Sequence, residues 1–526
     1  MNKKQFWVLS LLSGLLLFGA WPTSPLCLLI FVALVPLLII AEKTSRRLAF
    51  FGYCFIALLI FNAATTWWIW NSTDIGSVAA IVANSLLMCL PWWGFHILLK
   101  KHGRTTGYIS LGWFWMLFEY VHLNWQLSWP WLTLGNVFAS STNLVQWYEY
   151  TGVGGGTLWI LLVNVFIKLV LGRWVNPQKP TLPVVSVLIV LLLLPMTVSH
   201  FILKVVNKQM QPTANVLIVQ GNINPYEKFE LSSAQQDIDK LVAITNQAID
   251  SNTQLIVYPE TSLSVPTWQG EIGKNTYFKP VFEMLQNNPN STLVTGIETF
   301  RNYGNHKATS TARKSDGNFY YDAFNSAITI KAGEPILLYN KSKLVPGVES
   351  MPSFLNFLAP VFEKFGGTTG GYGTSSSSTV FPIKNTMAIA APVICYESIY
   401  GEYVSSYVAK GANLITIITN DGWWGNTPGH KQHLDYACLR AIETRRWVAR
   451  SANTGISAVI DSYGNIVESQ PWDKAAVIKY PIPLLTELSF YTRYGDYLYK
   501  GFSFFGLLLL ARHCAFAIRR LFTKKK

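Results

Sequence analysis

The sequence predicts a polytopic α-helical membrane bundle of about eight spans that carries one α/β domain outside the bilayer. Three observations predict it. Charged residues make up 13% of the chain and apolar residues 50%, whereas globular proteins carry about 25% charged residues. Eight apolar stretches are long enough to cross hydrocarbon about 30 Å thick. Between them lies a block of nearly 300 residues in which strand-like and helix-like runs alternate.

The apolar stretches fall near residues 5–20, 25–41, 49–70, 76–99, 106–122, 153–172, 182–203 and 501–518. The first has no clear small-residue cleavage site before Trp21-Pro22, so it reads as a retained helix and not a removed signal. The expected organisation is a seven-helix membrane domain at 1–204, an extracytoplasmic domain at 205–497, and a last span with a basic tail at 498–526.

The net charge of +14 first suggests a nucleic-acid partner, but its distribution argues against one. Between Lys204 and Lys500 there are 25 Lys and Arg against 24 Asp and Glu, a difference of +1. The other 17 basic and 4 acidic residues lie in the membrane part, a difference of +13. Most of that charge sits in alternate connections: Lys3-Lys4, Lys43/Arg46/Arg47, Lys100/Lys101/Arg104, Arg173/Lys179 and the tail Arg519/Arg520/Lys524-Lys525-Lys526. The positive-inside bias then puts both termini in the cytoplasm and the 205–497 block on the other side. In a bacterium that is the periplasmic face of the inner membrane.

Within the membrane part, Trp21, Trp67, Trp68, Trp70, Trp125, Trp129 and Trp131 lie at the outer ends of spans, where an interfacial aromatic belt accounts for them. Glu119 interrupts an apolar helix. An intramembrane acid suggests function, and a side chain snorkelling to the interface explains it equally well. Pro130 and the glycines at 152–156 bracket a segment expected to fold back over the membrane surface.

In the outer block, Val216–Gln220, Leu255–Tyr258, Leu293–Gly296, Ala327–Ile330, Ala388–Ile394 and Leu414–Thr419 read as strands. Gln235–Ser251 and Gln432–Arg450 read as helices, the second with an apolar stripe at Leu434, Ala437, Cys438, Ala441 and Ile442. The Gly366–Thr379 loop is flexible by composition. The arm before it, Met351–Phe365, is rich in Phe and Leu and could enter the lipid interface or belong to the core.

Three chemically useful residues each end an apolar run: Glu260 after Leu255–Pro259, Lys341 after Ile336–Asn340, and Cys395 after Met387–Ile394. A cysteine nucleophile needs a base for its proton and donors for the oxyanion. Glu260 can be that base, Lys341 can supply positive charge, and the Tyr396 backbone N–H can add a donor. Taken singly, each has an ordinary explanation: a lone buried thiol is usually inert, and a lone charge is usually solvated. His430 and His433 read as part of a separate polar loop, so a Cys/His pair is not expected. Of six cysteines only Cys395 and Cys438 lie outside the membrane segments; one disulfide between them is arithmetically possible. No CxxC, HExxH or similar spacing appears, so neither a metal nor another cofactor is expected.

Glu260 in YPETS, Lys341 in YNKSKLVP and Cys395 in ICYES, in that order, resemble the Glu-Lys-Cys signature of the nitrilase superfamily. The block Asn420-Asp421-Gly422-Trp423-Trp424-Gly425, followed by His433 and Arg440, resembles that superfamily's ND-x-W-F-G segment. Multiple spans before the domain and one after it narrow the resemblance to the apolipoprotein N-acyltransferase family, as do Trp129–Gly135 and Gly152–Gly155. The resemblance implies an α-β-β-α sandwich on eight helices. It further implies transfer of an acyl chain from a phospholipid, through a thioester on Cys395, to the N-terminal amine of a diacylglyceryl-modified apolipoprotein. Glu349 matches a supporting glutamate, Tyr396 and Glu397 match the positions beside the nucleophile, and Trp423 belongs to the downstream block. The sequence departs from the family pattern at Pro346-Gly347-Val348-Glu349, at Phe229 where a tryptophan is common, and at Trp424 in place of Phe. Two other functions use the same features: a membrane-anchored amidase of the nitrilase type, and a lipid transporter or receptor with no chemistry.

Overall fold

A computed structural model describes residues 1–174, 182–205, 211–226, 231–350 and 371–523. Phe229, the Met351–Phe365 arm, the first five residues of the glycine-rich loop and Lys524-Lys525-Lys526 lie outside the described residues. The chain forms two compact units, one of Met1–Trp67, Ser77–Val205 and Tyr494–Lys526, the other of Trp68–Gly76 and Val206–Arg493.

The first unit is helical. Its long helices include Lys3–Ala20, Arg47–Thr66, Asp74–His102, Arg104–Asn124, Tyr148–Trp174, Leu182–Lys204 and Tyr497–Thr523. Among the described residues four helical stretches, Arg47–Asn71, Asp74–His102, Tyr148–Trp174 and Leu182–Lys204, are long and apolar enough to cross a membrane.

The run predicted as one span near 25–41 is broken. It forms a 3-10 turn at Cys27–Leu29, a short helix at Ile30–Ala33 and a second helix at Val35–Lys43. Pro36 in the first turn of the second helix has no N–H to continue a helix from before it. Asn164 satisfies the backbone groups freed at the break: its Oδ1 accepts from Leu34 N at 2.9 Å and its Nδ2 donates to Ile30 O at 2.8 Å. Backbone polar groups in apolar surroundings require such partners.

Glu119 does not snorkel. It is 3% exposed, and its carboxylate accepts from Trp115 Nε1 at 2.9 Å, Leu134 N at 2.8 Å, Thr157 Oγ1 at 2.8 Å and Tyr499 Oη at 2.7 Å. One acid thereby joins the Arg104–Asn124, Tyr148–Trp174 and Tyr497–Thr523 helices. The segment after Pro130 also runs inward: Pro130–Leu132 and Leu134–Phe138 are buried 3-10 turns. Gly135 permits this, because a Cβ there would overlap the Val153 carbonyl. Nor do all the tryptophans form a belt. Trp21 and Trp131 are buried in the first unit, Trp21 meeting Phe61 edge-on at 4.9 Å. Trp68 is buried in the second unit against Trp424, with Nε1 donating to Gln432 Oε1 at 3.2 Å.

The second unit is built on two sheets. The first has eight strands: β1 (Thr213–Gln220), β2 (Leu255–Val257), β3 (Leu263–Trp268), β4 (Thr292–Asn302), β5 (Arg313–Lys314), β6 (Tyr320–Ile330), β7 (Leu338–Asn340) and β14 (Ala476–Pro483). Their order is β14-β1-β2-β4-β6-β5, with β3 paired to β4 and β7 to β6. The second sheet has the order β13-β12-β11-β10-β9-β8. Its strands are β8 (Phe381–Pro382), β9 (Ile389–Ile394), β10 (Leu414–Thr419), β11 (Trp447–Ala452), β12 (Ala458–Ile460) and β13 (Ile466–Ser469). The central strands β1-β2-β4 and β9-β10-β11 are parallel.

Alternation along each strand decides what lies on each face. Val216, Ile218, Leu255 and Val257 share a core with Ala391, Val393, Ile415 and Ile417 of the second sheet. Leu217, Val219 and Ile256 turn the other way, onto Ile238 and Leu241 of the Leu231–Asn246 helix and Val281 and Leu285 of the Lys279–Asn287 helix. Val404 and Tyr407 of the Gly401–Ala409 helix, with Leu434, Ala437 and Ala441 of the Pro428–Thr444 helix, join the core of the second sheet. The layers are therefore helix, sheet, sheet, helix. Strands covered on both faces are apolar almost throughout, which is why they stood out in the sequence.

One predicted helix is corrected. The 432–450 stretch splits into the Pro428–Thr444 helix and β11, the turn being made by Arg445 at φ 50°.

Candidate active site

Three strand ends supply the site. Glu260 follows the parallel strand β2, and Lys341 and Cys395 come directly after β7 and β9. At the parallel strands the chain stops hydrogen-bonding to its neighbours and can point side chains outward, the position favoured for chemistry in α/β folds.

Lys341 is 1% exposed and its Nζ donates to Glu260 Oε1 at 3.1 Å and to Glu349 Oε1 at 2.9 Å. Asn325, on β6, donates Nδ2 to the same two oxygens, at 2.7 Å and 3.0 Å. The four groups form a closed square in which each donor touches both acceptors. Val345 N fixes the other oxygen of Glu349 at 2.9 Å. Burial works against the ammonium of Lys341, but Glu260, Glu349 and the Cys395 side chain outweigh it and raise its pKa well above the ordinary lysine value. Gly296 lets Glu260 sit so close to β4: a Cβ there would overlap Thr261 N and lie 2.7 Å from Glu260 Cα.

Cys395 opens a 3-10 turn, Cys395–Ile399, with φ of 48°. A side chain in the left-handed region costs about 1–3 kcal/mol and persists only where its surroundings hold it. Those holds are visible. Glu397 Oε2 accepts from Ile394 N at 2.9 Å, Ser398 Oγ donates to Cys395 O at 2.8 Å, and His433 Nε2 stands 3.2 Å from the same carbonyl. Glu397 Oε1 also accepts from Tyr339 Oη at 2.6 Å and Ser342 N at 2.7 Å. It thus pins the turn of the cysteine to the loop that follows the lysine. Burial pushes the thiol of Cys395 up, the charge of Glu260 adds to this, and Lys341 and Thr419 oppose it; the net shift is upward. The resting group is accordingly a thiol, and its proton must be removed when substrate is attacked.

Behind the cysteine lies a second polar cluster. His433 is on the Pro428–Thr444 helix and fully buried, not in a polar loop as the sequence suggested. Its Nδ1 stands 3.0 Å from Asp421 Oδ1 and its Nε2 2.8 Å from Ser398 Oγ. Arg450 of β11 donates to Asp421 Oδ2 at 2.7 Å. Burial opposes the charge of Asp421, yet Arg450 and His433 outweigh it and hold the carboxyl below the usual carboxylate range. His433 contacts the backbone carbonyl of the cysteine. Arg440 donates to Ile399 O at 2.6 Å and pairs with Glu443 at 2.7 Å, closing the far end of the turn.

Of the residues expected from sequence, Glu260, Lys341 and Glu349 come together; the charges of Glu260 and Lys341 act on Cys395, and Glu397 ties its turn to the loop after Lys341 through backbone N–H groups. Tyr396 is buried edge-on to Tyr400 at 5.3 Å. Trp423 is half-exposed and meets Tyr226 at 5.4 Å. Cys395 and Cys438 are free thiols. Among the described residues no group of His, Cys, Asp and Glu is placed to hold a metal ion. Asn325, Thr419 and Arg450 were not singled out from sequence. Asn325 and Thr419 are polar residues in strands, and a single sequence gives no sign of what they face.

Two family profiles match the chain. Carbon-nitrogen hydrolase covers residues 215–487, and the apolipoprotein N-acyltransferase N-terminal domain covers 13–166. An apolipoprotein N-acyltransferase of Chlorobaculum tepidum is 30% identical over 93% of this chain and 92% of its own length. The chain belongs to the apolipoprotein N-acyltransferase family. Relatives of the same name in Geobacter metallireducens and Pasteurella multocida are 26% and 25% identical, over 94% and 99% of this chain and 92% and 97% of theirs. Membership accounts for both units at once: the N-terminal profile falls in the helical unit, and the hydrolase profile spans both sheets and all three strand ends.

Proposed function

We propose that Cys395 carries the acyl group in the N-acylation of lipoproteins, the reaction for which the family is named. Glu260 removes the proton of the thiol as sulfur attacks the ester carbonyl of a phospholipid. Lys341 donates to the oxyanion, and the protonated Glu260 returns its proton to the leaving lysophospholipid oxygen. The chain is then held as a thioester. The N-terminal amine of a diacylglyceryl-modified apolipoprotein attacks it, Glu260 takes the amine proton, and the thiol is restored as the amide forms. The support for this reading is the buried square of Lys341, Asn325, Glu260 and Glu349, which acts electrostatically on the sulfur.

The bilayer supplies the donor. Eight spans, with both termini in the cytoplasm and the two-sheet unit in the periplasm, are the arrangement that the basic residues favour, 17 against 4 acidic in the membrane part. The enzyme is then a multi-pass protein of the bacterial inner membrane.

Full-length protein reconstituted with phospholipid and a diacylated lipopeptide tests the reading. N-acylated peptide together with lysophospholipid is expected. Free fatty acid with unmodified peptide would instead make water the acceptor, as in an amidase of the carbon-nitrogen hydrolase type. Turnover unchanged in Cys395→Ser would remove the thioester.

A further inference from the structure

Resting on the role of Cys395 as nucleophile, we infer that Thr419 is a positioning residue whose hydroxyl transfers its hydrogen bond from Asp421 to the cysteine sulfur as the thiol is deprotonated. The strand register places the two residues together. Ile418 of β10 is paired in parallel with Ile394 of β9, so the next residues, Thr419 and Cys395, leave their strands side by side. Thr419 is fully buried, and its Oγ1 donates to Asp421 Oδ1 at 3.0 Å. Thr419 is also among the groups that favour the charged form of the Cys395 sulfur, against burial and Glu260.

A hydroxyl has one proton and two lone pairs. While that proton points at Asp421, the oxygen can only accept, which suits an S–H. A thiolate offers no proton and needs a donor, so the hydroxyl must turn. Turning costs little because Asp421 keeps other partners: His433 Nδ1 at 3.0 Å on the same oxygen and Arg450 Nη2 at 2.7 Å on the other. Only one covalent proton moves, from sulfur to the Glu260 carboxylate. The hydroxyl rotates without losing its own. The arrangement holds a protonated sulfur at rest and a charged one in attack with the same side chain.

The experiment uses full-length enzyme in detergent with phospholipid, comparing Thr419→Val and Thr419→Ser. Three quantities are read: the single-turnover rate of Cys395 acylation, the pH profile of Cys395 alkylation by iodoacetamide, and the melting temperature. The charged groups facing the sulfur, Glu260 after β2, Lys341 after β7 and Asp421 after β10, are present in both variants. Thr419→Val should slow acylation about ten- to a hundredfold, the worth of one hydrogen bond to a charged group, and move the alkylation profile up by about one pH unit. Thr419→Ser should stay within about threefold of the parent, since the hydroxyl is kept. If the valine variant melts early, Thr419→Ala, which adds no bulk, should give the same shift. A valine variant with parental rate and profile would overturn the inference, and so would a serine variant as impaired as valine. The alkylation profile needs no acyl donor, so failure of the phospholipid to acylate the parent would refute the proposed function separately.

Discussion

Asn325 donates its side-chain amide to Glu260 at 2.7 Å and, with the same nitrogen, to Glu349 at 3.0 Å. Lys341 brings one positive charge to two carboxylates, and Asn325 helps fix where they sit. Replacing it with Leu should lower the rate of Cys395 acylation about a hundredfold, because a misplaced catalytic base costs about that much. Asn325→Asp should be at least as damaging, since it adds a third carboxylate to one ammonium. Single-turnover acylation of the purified variants reads both. Parental rates in either would show that Lys341 suffices.

Gly296 is expected to be as intolerant as a catalytic residue although it touches no substrate. Alanine there would push its Cβ into Thr261 N and against Glu260 Cα. Gly296→Ala should reduce acylation about a hundredfold, whereas Gly270→Ala, with open space at its Cβ, should leave it unchanged. Equal activity in the two variants would count against the tight placement of Glu260.

Glu119 should matter for assembly of the helical unit. Glu119→Leu strands the donors of Trp115, Leu134, Thr157 and Tyr499. At about 1–3 kcal/mol for each buried group left unpaired, the variant should melt well below the parent in detergent or fail to accumulate. Glu119→Gln keeps one acceptor oxygen and should lie between the two. A leucine variant with parental melting temperature would contradict the hub.

The stability of the two-sheet unit should fall on acidification through His430. The imidazole is buried and lies 4.3 Å from the ring of Trp472. Burial lowers its pKa from 6.5 to about 4, Asp421 working against the shift and Lys431 and Arg450 with it. Between these values the unfolded chain binds a proton that the native one refuses, so stability drops as pH falls from 6.5 towards 4 and is flat above. Melting temperature against pH should show this slope in the parent and a shallower one in His430→Gln. Identical slopes would assign the effect elsewhere.

What was legible in the sequence follows from how local the signals are. β2, β7 and β9 are short apolar runs closed by Glu260, Lys341 and Cys395 or their immediate neighbours, and burial on both faces makes such runs visible. The break at Leu34 was not visible, because the group that satisfies it, Asn164, lies 130 residues away. Nor was the end of the Pro428–Thr444 helix: Arg445 takes the left-handed conformation usually given to glycine, so the stretch read on as helix through β11. That same misreading hid Arg450, whose partner Asp421 is 29 residues distant. The square around Lys341 assembles from β6, the ends of two other strands and the 345–350 turn, and no spacing along one chain encodes it.

The thioester is the centre of the account. The most direct measurement is mass spectrometry of the Cys395 peptide after mixing full-length protein with phospholipid, before and after adding a diacylated lipopeptide. An adduct with the mass of one acyl chain should appear on that peptide, be absent in Cys395→Ala, and vanish when the lipopeptide supplies an amine. N-acylated lipopeptide formed with Cys395 never modified would contradict it.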